Sequence, residues 1–241
     1  TVPLSPGRPW VETEDFLAAW GPDVGLALLT WVTSIGSSRM DYPALVAHGR
    51  AMGSLMVADI TQAAGLLPFD VAAPRIDFMV STSLKWLCGT PGAGVLYADK
   101  SIVEDLQPET RGWFSQNNPL SWDLNCLQYA PDIRRFDTGT PGSVAALASL
   151  PAIDWFTKQD LSQVAAHNRR LVDRVILRAD RLDIPLHSPR EADRRGGAVM
   201  PIWVAGSNHS RISRQLLSSR ALPRWHSSMM MRSKKSRAYS R

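Results

Sequence analysis

Three short blocks hold the residues whose types and spacing could do chemistry together. Asp59 closes a predicted strand in the segment DITQAAG, with Gln62 and Gly65 three and six residues further on. Lys85 follows Asp59 by 26 residues in STSLKWLCGTPGAG and stands three residues after Thr82. The third block, residues 134–141, reads RRFDTGTP and contains Thr140. Side chains at the C-terminal ends of parallel strands point into the crevice where open α/β sheets bind ligands. An acid and an amine delivered there by neighbouring strands can act on one ligand. Taken singly, each residue has an ordinary alternative: Asp59 as a helix cap, Lys85 as a snorkelling surface lysine, Thr140 as a turn residue.

The elements that must position these residues follow from the apolar pattern. Residues 24–33 (VGLALLTWVT) form a continuous apolar run between turn residues, which predicts a strand buried on both faces. Asp41 is placed to cap a helix that carries Leu45, Val46 and Met52 toward the core and closes at Gly53. Residues 55–60, 76–80 and 94–97 read as further short strands. Strand, helix, strand at this spacing predicts a parallel, right-handed α/β layer. Upstream, residues 13–15 start a short helix through Phe16, Leu17 and Trp20 that ends at Gly21-Pro22.

Downstream of Pro108 the pattern loosens into a loop-rich stretch with Trp113, Phe114 and Trp122. Two helices follow, over 142–156 and 159–182. Pro151 interrupts the first, and the second has a predicted buried stripe of Leu161, Val164, Leu171, Val175 and Leu182. Residues 197–205 read as one more strand. This gives a leading loop and short helix (1–22), a ligand-binding α/β core (23–157), a helix with part of a further domain (158–206) and a basic end (207–241).

The net charge of +5 is concentrated in that end. Nine of the 27 Lys and Arg residues lie in 209–241, which has no acid, so 1–208 carries 18 bases against 22 acids. The basic end reads as a solvated, disordered segment, so nucleic-acid binding is not expected of the body. No apolar stretch is long enough to span a bilayer, and no secretory signal is readable at the start. Cys88 and Cys126 make neither a disulfide framework nor a metal cluster and are expected to be buried structural cysteines, so the expected compartment is the cytoplasm.

Together, Asp-x-x-Gln-x-x-Gly, Thr-x-x-Lys before a Gly-rich turn, and Gly-Thr-Pro resemble the aminotransferase class V group of fold-type I pyridoxal-phosphate enzymes, most sharply over 53–142. The resemblance implies the large domain of that fold, a mainly parallel sheet flanked by helices. Its N-terminal part and C-terminal small domain would be incomplete here. It implies pyridoxal 5'-phosphate as cofactor, an amino acid as substrate and a homodimer with active sites at the subunit boundary. Lys85 would carry the cofactor as an imine and move the Cα proton, as an amine kept usable near neutral pH by burial beside a cationic ring. Asp59 would keep the pyridinium nitrogen protonated, Gln62 would contact the phenolic oxygen, and Thr82 would bind phosphate. Trp113 and Thr140 would donate to the phosphate, in the dimer that of the partner's cofactor.

The branch signals are mixed. Arg111-Gly112-Trp113-Phe114 resembles kynureninase, whereas Gly139-Thr140-Pro141 also resembles the cysteine desulfurase, selenocysteine lyase and epimerase branch. Gln62, Leu84 and Gln116 depart from kynureninase, and neither cysteine matches the mobile nucleophile loop of a desulfurase. The resemblance further implies that the phosphate-binding helix N-terminus lies before residue 1. The substrate-carboxylate arginine belongs to the small domain, and the homologous stretch stops near residue 206. A truncated, non-catalytic remnant encoded by a gene fragment is therefore a third expectation. Intact family sequence in a shifted frame at the genomic locus would support it, and a clean gene with its own start would sink it.

Overall fold

The apolar runs become a four-stranded sheet in the computed structural model, which describes residues 1–123 and 125–202. The elements met first are α1 (Thr13–Ala19), β1 (Leu26–Thr30) and α2 (Tyr42–Met52), followed by β2 (Leu55–Asp59), β3 (Phe78–Thr82) and β4 (Gly94–Ala98). The order across the sheet is β1-β2-β3-β4, with the first three parallel and β4 antiparallel to β3. A short α3 (Lys100–Val103), two 3-10 turns at Trp113–Ser115 and Ile133–Phe136, α4 (Ser143–Phe156) and α5 (Leu161–Asp180) complete the described residues.

Helix α2 has the boundaries its sequence dictates. The Asp41 carboxylate accepts the Ala44 amide at 3.1 Å, and Gly53 takes the left-handed conformation (φ 76°) that ends the helix. Its Leu45 and Val46 are buried with Leu29 of β1, Met56 and Ala58 of β2, and Ile76. Each buried side chain of that size contributes about 1.5–3 kcal/mol. Trp20, just past α1, is buried in the same cluster and donates its indole N–H to Ser54 Oγ at 2.9 Å.

A buried carboxylate sets the alignment of the parallel strands. Asp77 precedes β3 and accepts the Met56 amide of β2 at 2.7 Å and Arg50 Nη1 of α2 at 2.8 Å. Helix α2 and the starts of β2 and β3 are thereby tied to one side chain. With Asp59 paired opposite Val80, both strands end at the same sheet edge.

Four expectations are corrected here. β1 is buried on one face only: Ala27 and Leu29 are covered, whereas Leu26 and Leu28 are 54% and 62% exposed. An apolar run cannot reveal which face its neighbours cover, and among the described residues one face of β1 lies open. Pro151 does not interrupt α4, which runs through it. The buried line of α5 is Val172, Ile176 and Ala179, while Leu171 and Val175 face outward, because two apolar lines share the helix. Residues 197–202 form no strand; only isolated bridges join Arg195 to Ser38 and Pro201 to Leu186. The remainder of that predicted strand and the basic end 207–241 lie outside the described residues.

Candidate active site

Asp59 is the last residue of β2 and Thr82 the last of β3, so parallel pairing brings both to one edge. Thr61 connects them. Its amide donates to Asp59 Oδ1 at 2.9 Å, and its hydroxyl oxygen accepts the Thr82 amide at 3.3 Å. The first contact is the Asx turn that an aspartate makes with the amide two residues on. Thr61 was an unassigned position in the sequence pattern, although Asp-x-Thr is a signal for such a turn. Gln62 follows, half-buried, in the turn after β2.

Lys85 sits in a tight loop immediately after β3. The Gly89 amide donates to the Ser83 carbonyl at 2.8 Å, and the Cys88 amide to the Lys85 carbonyl at 3.0 Å. The loop rests on the first block: a Cβ on Gly65 would lie 2.8 Å from the Trp86 carbonyl oxygen, and Gly65 itself has φ +87°. Two expectations fail at this loop. Lys85 is exposed rather than buried, in the bend that follows the end of β3. Cys88 is likewise exposed, at a left-handed φ of 54°, and Cys126 is exposed in a later loop.

Trp113 and Thr140 form a separate group. Gly112 admits the Thr138 carbonyl so closely that a Cβ would stand 1.6 Å from its oxygen, which packs the Trp113 turn against the Gly-Thr-Pro segment. Trp113 is half-buried and stacks on Trp122, with ring centroids 5.9 Å apart and planes inclined by 28°. Thr140 is exposed. No hydrogen bond joins either residue to Asp59, Thr82 or Lys85 among the described residues. Beside this group, the guanidinium of buried Arg135 donates to the carbonyls of Ala130, Glu104 and Leu106, so it fastens loops and is not available to a ligand.

Two cavities among the described residues lie elsewhere. One of about 1160 Å³ is lined by Trp10, Trp31, Arg39, Tyr42 and Arg194 among others, and one of about 190 Å³ by Gln116, Asp123 and Cys126 among others. Neither contains Asp59, Gln62, Thr82, Lys85, Trp113 or Thr140. Among the described residues no cluster of three or more His, Cys, Asp or Glu is placed to hold a metal ion. No helix there is long and apolar enough to cross a membrane.

The model of the family described as aminotransferase class-V matches residues 8–221. The chain belongs to the aminotransferase class V family. It is 29% identical over 192 residues to a probable cysteine desulfurase of Streptomyces coelicolor, covering 79% of this chain and 44% of that one. It is 30% identical over 182 residues to the kynureninase of Deinococcus radiodurans, covering 73% and 44%. A solved C-DES mutant with glycine covalently linked to the PLP cofactor aligns with a TM-score of 0.71 at 18% identity, over 85% of this chain and 54% of that one. The class V chain thus spans about half the length of these proteins. Its sheet flanked by helices is that of fold-type I enzymes.

The side chains of this class V chain fit a pyridoxal-type group. Such a group presents a ring nitrogen, an aldehyde and a phosphate, which call for an acid, an amine and hydroxyl donors. Asp59 Oδ2 accepts no hydrogen bond among the described residues, and Lys85 makes no ion pair there. The Thr82 hydroxyl has only long contacts, 3.4 Å to the Ala93 carbonyl and 3.5 Å from the Leu84 amide. Among the described residues, Asp59 Oδ2 and the Lys85 amine thus have no competing partner and the Thr82 hydroxyl has weak ones.

Proposed function

We propose that this chain belongs to a pyridoxal-phosphate enzyme that acts on an amino acid, with Lys85 as the cofactor lysine. The observation that carries the reading is the delivery of Asp59 and Thr82 to one edge by parallel β2 and β3, with the Lys85 loop following directly. When bound, pyridoxal phosphate withdraws electrons from the substrate Cα. The chain's own residues then have distinct tasks. The Lys85 amine holds the cofactor and afterwards takes or returns the Cα proton. The Asp59 carboxylate keeps a proton on the ring nitrogen, and Gln62 donates to the phenolic oxygen. The Thr82 hydroxyl donates to phosphate. Trp113 Nε1 and the Thr140 hydroxyl are phosphate donors as well, offered to a second subunit's cofactor in a homodimer.

Within the family we assign a kynureninase-like lyase or transferase, on the Gly112-Trp113-Phe114 turn and the Deinococcus relative. The desulfurase branch is the second reading, supported by Gly139-Thr140-Pro141 and the Streptomyces relative. The proposed compartment is the cytoplasm. Titration of the purified protein with pyridoxal phosphate tests the reading by absorbance. A visible band that is absent in Lys85→Ala supports it, and no band at saturating cofactor overturns it. A screen of kynurenine, cysteine and simple amino acids as substrates then separates the two catalytic branches.

A further inference from the structure

We infer that Ser149 of α4 is a positioning residue for the Lys85 loop. This rests on the reading of Lys85 as the cofactor lysine, but the contacts themselves do not involve a cofactor. Helix α4 is apolar along most of its length, yet its only fully covered residue is this serine, 1% exposed. Its Oγ accepts the Thr90 amide at 3.0 Å and donates to the Ala145 carbonyl at 2.8 Å. The Thr90 hydroxyl donates to the same Ala145 carbonyl at 2.7 Å. From the loop's other side, the hydroxyl of buried Ser83 donates to the Thr90 carbonyl at 2.8 Å and approaches Ser149 Oγ at 3.4 Å.

Every polar group of Thr90 is therefore engaged, by Ser83 before the lysine and by α4 behind it. Gly89 completes the fit: a Cβ there would lie 2.7 Å from Ser83 Cβ and 2.9 Å from Ser149 Oγ. The two ends of the loop, Ser83 and Thr90, meet at one hydroxyl. Where that hydroxyl sits fixes the span that Lys85 must bridge. Helix α4 begins three residues after Thr140, so the same clamp holds the Gly-Thr-Pro segment in register with the lysine loop. Deleting the hydroxyl leaves a half-buried amide without a partner, and the loop opens to find one.

Hydrogen exchange and cofactor titration of the whole chain, as wild type and Ser149→Ala, test this. Amides of residues 83–90 are expected to exchange about tenfold faster in the variant, with α2 amides unchanged. The dissociation constant for pyridoxal phosphate is expected to rise about tenfold. Unchanged exchange in 83–90, or an unchanged dissociation constant beside faster exchange, overturns the inference. Should the wild type take up no cofactor, the reading of Lys85 fails, and the exchange experiment alone decides whether Ser149 sets the loop. If Ser149→Ala also loses protection in α2, Thr90→Val replaces it. Faster exchange confined to 83–90 in that variant supports the clamp, and none overturns it.

Discussion

Gly65 packs against the Trp86 carbonyl at φ +87°, so closely that a Cβ on it would lie 2.8 Å from that oxygen. This contact joins the block that carries Asp59 to the block that carries Lys85. It gives the glycine of Asp-x-x-Gln-x-x-Gly a physical reason. Replacement by alanine strains a left-handed residue and pushes the loop backbone outward.

Gly65→Ala is expected to destabilise the fold by about 1–3 kcal/mol, from strain at a positive φ together with the close carbonyl. Urea unfolding measures this. A variant as stable as the wild type would mean that the loop yields freely, and that Gly65 does not seat it.

Asp77→Ala is expected to cost about 2–4 kcal/mol. It leaves the Met56 amide without its acceptor and separates Arg50 from a carboxylate whose side chain is 7% exposed. Arg50, at 40% exposed, regains water, which keeps the loss below that of a fully buried pair. The same unfolding experiment checks it. A loss under about 1 kcal/mol would show that strand alignment does not depend on this side chain.

Acid should remove a defined contribution from Asp99. Arg75, donating from Nε and Nη2 at 2.7 Å each, and then the Ser101 amide hold its carboxyl below the usual carboxylate range. A carboxyl whose pKa is lowered on folding stabilises the fold above its unfolded value of about 3.9 and loses that effect as pH falls toward the folded value. Thermal midpoints of wild type and Asp99→Asn should therefore differ by a constant amount at neutral pH, with the gap closing below about pH 4. A gap that persists unchanged into strong acid would contradict the assignment.

Much of the scaffold was legible because its signals are local. Asp41 and Gly53 bound α2 through cap chemistry, and Asp59 and Thr82 stand at strand ends where the apolar runs stop. What was not legible depends on tertiary neighbours. Nothing in residues 24–33 says that Leu26 and Leu28 face outward. Ser149 reads as a neutral residue in an apolar helix until Thr90 is folded against it. The spacing of α5 does not single out its buried line, because Leu171 and Val175 keep helical spacing with each other while Val172, Ile176 and Ala179 are the buried residues. The motif marks Lys85, but its apolar flanks do not reveal that it stands exposed in the bend after β3.

The claim that Lys85 holds the cofactor is tested most directly by incubating the purified chain with pyridoxal phosphate, reducing with borohydride and mapping the added mass by peptide mass spectrometry. The expected result is a modification confined to the peptide containing Lys85, with Lys100, Lys158, Lys234 and Lys235 unlabelled. Label spread over the lysines, or found on any of them in preference to Lys85, would contradict it.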